Sequence, residues 1–195
     1  MTIKLFSDII CPFCYIAEET IIPYLKARYG VDFLYLGMEL HPQTPPGGVH
    51  IDDPRYAPFK AYVEKFAAAF NLPDVRMPEK TYNTRKALLM AEYARDAGRL
   101  PEFWQALLHA YWKEQINLED ESVLAQVATL CGLDSTQAAT APANMEYQLR
   151  LDKRRYNAQK LGLITLPAFM WGKQAILGCQ PAEVFDRALG KQPLN

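Results

Sequence analysis

Ile3-Lys4-Leu5-Phe6-Ser7-Asp8-Ile9-Ile10-Cys11-Pro12-Phe13-Cys14 is the stretch whose reading decides the fold. Residues 3–7 read as a short strand that ends at Asp8 and runs into a Cys-x-x-Cys turn. Pro12 suits the first turn of a helix, where its missing N–H has no helical partner anyway. Ile16, Ile22, Leu25 and Tyr29 recur at roughly helical spacing, and Gly30 supplies a stop. Pro23 lies inside this helix and is expected to kink it, because it removes one backbone bond and crowds the preceding turn. Val31 to Leu40, with β-branched and aromatic content, reads as a second strand. The opening is thus strand–helix–strand, with a crossover long enough for a parallel pair.

Two cysteines at this spacing, after a strand and at a helix start, point to redox chemistry. A helix N-terminus gathers unpaired N–H groups and the positive end of the dipole, which favour a thiolate placed there. Cys11 is expected to be the exposed nucleophile, with Cys14 one turn further in and more shielded. Attack by Cys11 on a disulfide gives a mixed disulfide, which Cys14 is close enough to resolve. A zinc half-site is the competing reading, and zinc requires a second Cys/His pair. Cys131 and Cys179 stand alone, and His41, His50 and His109 are widely separated. Cys131 and Cys179 read as core thiols.

Beyond this opening, residues 41–54 carry four prolines and Gly47-Gly48 and read as a loop. The following hundred-odd residues read as helices: Tyr56 to Phe70, Asn83 to Ala97, a segment around Phe103 to Tyr111, another around Val123 to Leu130, and Ser135 to Leu161, interrupted near Pro142. Strand texture returns at Thr165 to Trp171, turns at Gly172-Lys173 into Gln174 to Leu177, and leads to a last helix from Pro181 to Leu189. Residues 1–40 and 163–195 therefore read as one α/β domain, and residues 41–162 as an all-helical insertion. Trp104, Tyr111 and Trp112 read as packing within it, and His41 as a residue that ends the second strand near the cleft.

The chain has 195 residues, with 21 Lys and Arg against 22 Asp and Glu, and is 50% hydrophobic. That is too apolar for disorder, and a net charge of −1 offers no electrostatic reason for a nucleic-acid or membrane partner. Uncharged stretches such as Leu161 to Gly172 reach only 12 residues, short of the roughly 18 a spanning helix needs. The opening residues lack the apolar core of a secretory signal. A cytoplasmic protein is expected, whose cysteines serve as thiols, ligands or catalysts rather than staples.

The order β–Cys-x-x-Cys–α–β, helical insertion, β–β–α resembles the thioredoxin-like fold of the DsbA family. Ser7-Asp8 before Cys11-Pro12-Phe13-Cys14, Asn83-Thr84 opening a helix, and Gly178-Cys179-Gln180-Pro181 are similar to its cytosolic FrnE-like branch. That branch is related to 2-hydroxychromene-2-carboxylate isomerases and kappa-class glutathione transferases. The resemblance implies a thiol–disulfide oxidoreductase without metal or organic cofactor, acting on protein or small-molecule disulfides, with glutathione as a candidate redox partner. It also implies that Leu166-Pro167 has a cis bond and faces the cysteines, whereas the residues alone read Pro167 as an ordinary trans proline opening an edge strand. Pro12 and Phe13, between the cysteines, are expected to tune the potential and to meet substrate together with Leu166, Pro167 and Asn83. For Asn83 a plain helix-capping role competes. In the isomerases and transferases a serine replaces the first cysteine, so a glutathione-dependent isomerase or transferase is the alternative activity. Cys11 and Cys14 favour exchange.

Overall fold

The computed structural model describes residues 1–163 and 165–190. Four strands form the main sheet, in the order β2 (Asp32–Gly37), β1 (Thr2–Ser7), β5 (Ala168–Trp171), β6 (Gln174–Leu177). β1 pairs parallel with β2 and antiparallel with β5, and β5 pairs antiparallel with β6. The sheet thus joins strands from both ends of the chain, giving the α/β thioredoxin-like arrangement expected from the sequence.

Alternation along β1 sends Ile3 and Leu5 into the core and leaves Lys4 on the opposite face. The core side is covered by α1 (Pro12–Glu19), α2 (Ile21–Tyr29) and α9 (Ala182–Leu189). Phe185 of α9 meets Phe169 of β5 edge-on, with centroids 4.9 Å apart. The expected kink at Pro23 is a full break between α1 and α2 at Thr20, whose φ and ψ are −127° and −62°. Pro23 cannot donate to the Glu19 carbonyl four residues back, so the chain restarts there. Asp186 of α9 ties the second half down by accepting hydrogen bonds from Tyr24 and Tyr29 of α2.

Between the sheet halves lie α3 (Ala57–Ala69), α4 (Arg85–Asp96), α5 (Leu100–Glu114), α6 (Glu121–Leu130), α7 (Ser135–Thr140) and α8 (Met145–Lys160). Asp120, Asp134 and Asn144 start α6, α7 and α8, each side chain accepting two first-turn N–H groups. The 3-10 turn Ala141–Ala143 supplies the interruption expected near Pro142. The insertion is not wholly helical: β3 (Val49–His50) pairs antiparallel with β4 (Lys80–Thr81). Two-residue strands carry too little alternation to be read from sequence. β5 also starts later than expected, at Ala168, with Leu166 and Pro167 in a bend before it.

One continuous apolar core runs from Ile3 and Leu5 under the sheet to Leu88, Phe103 and Trp104 of the helical block. α8, although sixteen residues long, buries only Leu151 and Ala158. Charges hold it instead. Arg154 bridges Glu92 of α4 at 2.7 Å and donates to the Gly37 carbonyl at 3.1 Å. Asp152 pairs with Arg85, which also reaches the buried Glu39. Cys131 departs from its expected place, being half-buried at the end of α6 beside a Leu130 that is 86% exposed.

Candidate active site

β1 delivers the chain to Asp8, and a turn closed by the Cys11 N–H donating to the Asp8 carbonyl at 3.3 Å sets the start of α1. Cys11 is the N-cap residue and Pro12 the first helical residue. The Cys11 carbonyl accepts from Cys14 N and Tyr15 N, both at 3.1 Å, so Cys14 sits in the first turn beside it. Both are free thiols.

Across the site, the chain before β5 brings Leu166 against the turn. The Cys11 Sγ lies 3.7 Å from the Leu166 carbonyl oxygen, although 155 residues separate them in sequence. The Leu166-Pro167 peptide bond is cis, and the Pro167 carbonyl accepts from Gly178 N at 2.7 Å.

The expected exposure of Cys11 is not what is found. Cys11 is 2% and Cys14 3% exposed. Both belong to a second apolar cluster with Phe6, Met38, Ala158, Leu163, Leu166 and Ala168, against which Phe13 packs half-buried. The cover comes from α8 and the segment before β5, neither of which is local to the motif. Burial pushes the Cys14 thiol well above its ordinary range, and the neighbouring Cys11 adds to this. The Ser7 hydroxyl and the Asp8 amide donate toward the Cys14 sulfur and pull the other way. Cys179 is buried as expected, and burial pushes its thiol up to about 12.

Asp8 is wholly buried and was not singled out from the sequence as a site residue. Its carboxylate accepts from Ile9 N at 2.7 Å, Leu40 N at 2.6 Å and the Thr84 hydroxyl at 3.2 Å. It thereby fastens the redox turn to the end of the β2 segment and the start of α4. Burial outweighs these bonds and raises its pKa to about 7. Its signal in the sequence was an acid at the end of an otherwise apolar run. Trp112 braces the same turn, its indole donating to the Ile9 carbonyl at 2.8 Å and its ring stacking on Tyr15.

A cavity of about 390 Å³ opens beside Pro12, with mostly apolar walls that include Ile10, Leu40, Ile51 and Phe59. His41, Lys60 and Tyr111 add polar groups, which places His41 at the cleft. Asn83 is not among the lining residues. Its amide donates to the carbonyls of Thr44 at 3.2 Å and Pro42 at 3.4 Å, while its Oδ1 accepts from Arg85 N at 2.9 Å. Asn83 is therefore a brace behind the 41–45 loop, not a residue on the cavity wall. Among the described residues no group of three or more His, Cys, Asp or Glu is placed to hold a metal ion. No helix among them is long and apolar enough to cross a membrane.

Residues 2–190 match the family model described as a DSBA-like thioredoxin domain. The uncharacterized protein YwbO of Bacillus subtilis is 22% identical over 196 residues, covering 97% of this chain and 96% of its own. A probable DsbA oxidoreductase of Streptomyces coelicolor superposes with a TM-score of 0.85 at 23% identity, over 100% of this chain and 93% of that one. A 2-hydroxychromene-2-carboxylate isomerase gives 0.76 at 20% identity, over 98% and 95%. The cytosolic disulfide reductase DsbM of Pseudomonas aeruginosa, solved with GSH, gives 0.67 at 14% identity, over 98% and 100%. At these identities the structural likeness is one of fold, while the family match spans nearly the whole chain: this protein belongs to the DSBA-like thioredoxin family.

Proposed function

We propose that this protein is a dithiol–disulfide oxidoreductase of the FrnE-like branch, working in the cytoplasm on protein or small-molecule disulfides. The observation that carries the reading is Cys11 at the N-cap of α1, its sulfur against the Leu166 carbonyl, with the Cys14 thiol beside it. The Cys11 thiolate attacks one sulfur of a substrate disulfide. The S–S bond breaks, the other sulfur leaves as a thiolate, and a mixed disulfide forms at Cys11. Cys14 then gives up its proton and attacks the Cys11 sulfur. The substrate's second sulfur departs, two electrons have passed to the substrate, and Cys11 and Cys14 share a disulfide. Holding Cys14 as a neutral thiol until then keeps it from competing for the first attack. Since both sulfurs are buried, substrate engages only once the apolar cover formed with Leu163 and Leu166 yields. No metal or organic cofactor enters this scheme, and glutathione serves as the thiol that returns the oxidised pair to the reduced state.

Cys14→Ser tests it. The variant keeps the first attack and cannot resolve, so incubation with oxidised glutathione should accumulate an adduct at Cys11, read by mass spectrometry. Wild-type turnover of peptide disulfides by this variant, without free glutathione, would sink the dithiol scheme. The apolar cavity beside Pro12 favours a second reading, glutathione-dependent isomerisation or transfer on a small aromatic substrate. Under that reading the Cys14→Ser protein turns over such a substrate with glutathione at the wild-type rate.

A further inference from the structure

A second cavity, on the sheet face opposite α1, α2 and α9, is separate from the space beside Pro12 and lies behind the redox turn, sharing Phe6 and Ala158 with the apolar cluster that covers the cysteines. It also measures about 390 Å³. Its floor is the outer face of the sheet: Phe6 of β1 beside Leu36 of β2 by the register Phe6↔Leu36, and Met170 of β5 opposite Lys4, one step diagonal to Phe6. Its rim is cationic, with Lys4 from β1 and Arg150, Lys153 and Arg154 from α8. No carboxylate lines it. Four positive side chains around one apolar floor are not a consequence of bulk composition, because the chain as a whole carries a net charge of −1.

The rim charges differ in what already satisfies them. Arg150 is engaged with Asp96 and Glu146, and Arg154 with Glu92 and the Gly37 carbonyl. Lys4 and Lys153 have no carboxylate within ion-pair distance among the described residues. Lys4 and Lys153, both exposed, flank a mostly apolar recess without a carboxylate of their own, so an arriving anion meets two unspent positive charges beside an apolar floor. The volume lies within the ordinary range for small-molecule sites. We infer that this cavity binds a small anionic amphiphile from solution, with its carboxylate, sulfonate or phosphate between Lys4 and Lys153 and its apolar tail or ring on Phe6, Leu36 and Met170. This inference is independent of the redox reading.

Dodecanoate, kept below its micelle concentration, is the probe, followed by calorimetry and by methyl NMR of the full chain labelled at methionine. Binding should shift the Met170 methyl and leave that of Met77, which lines the cavity beside Pro12. Lys4→Glu with Lys153→Glu, both at exposed positions, should weaken dodecanoate at least tenfold, whereas Lys60→Glu should leave it unchanged. Dodecyltrimethylammonium, with the same tail and the opposite charge, should bind at least tenfold more weakly than dodecanoate. Shifts at Met77 instead of Met170, insensitivity to the double charge reversal, or equal binding of the cationic amphiphile would each overturn the inference. So would binding only to anionic lipid vesicles, which would make the face a membrane contact, or self-association through it without uptake of probe.

Discussion

Glu18 lies on the core side of α1, 7% exposed, with the Tyr35 hydroxyl donating to it at 2.8 Å. Burial raises its carboxyl from 4.5 to about 7, against the opposing pull of that hydrogen bond and of Lys26. The folded state therefore holds the proton more tightly than the unfolded chain. Glu18's contribution to stability is complete below its unfolded value and is lost as pH rises through about 7. The gap from 4.5 to about 7, at about 1.4 kcal/mol per pH unit, amounts to about 3 kcal/mol lost by pH 8. Glu18→Gln keeps an oxygen to accept from Tyr35 and removes the ionisation. Urea unfolding at pH 5 and pH 8 should show the wild type losing stability between the two, and the variant losing about 2–3 kcal/mol less. Asp8, raised to about 7, has the same sign and keeps the variant from becoming wholly flat. A variant whose pH profile runs parallel to that of the wild type would refute the assignment of a buried, proton-holding Glu18.

Trp112→Phe strands the Ile9 carbonyl and thins the stack on Tyr15; it should cost about 2–3 kcal/mol and speed alkylation of Cys11, read by denaturant titration and thiol trapping. Arg154→Met withdraws a guanidinium from the buried Glu92 and from the Gly37 carbonyl; thermal unfolding should report a loss of about 3 kcal/mol, partly restored by Arg154→Lys. Cys179→Ala should leave insulin-disulfide reduction within about twofold of wild type, since its buried thiol is held neutral; a folded but inactive variant would place Cys179 in the redox path.

The strand, the Cys-x-x-Cys turn, the parallel partner and the closing hairpin were legible in the sequence because each is written in local spacing and turn residues. The burial of Cys11 was not legible, because its cover comes from Leu163 and Leu166, more than 150 positions away. Asp8 looked like the polar end of a strand, and only the folded chain shows three donors converging on it from the redox turn, the segment after β2 and the start of α4. Asn83 carried two readings that sequence could not separate; the partners of its amide, the Pro42 and Thr44 carbonyls, lie some forty residues upstream. The polar attachment of α8 was also invisible, since ion pairs between distant helices leave no periodic trace.

The 155 residues between Cys11 and Leu166 have a consequence for the newborn chain. A ribosome adding about 5–20 residues per second needs roughly 8–30 seconds after making the first thiol to make the segment that shelters it. Throughout that interval the two cysteines stand on a nascent chain that cannot yet complete its sheet, open to any electrophile or oxidant in the surroundings. Translation speed over the helical block therefore sets how long the reactive pair goes unguarded, and synonymous codons that slow it should raise the fraction of chains modified at Cys11 before they fold.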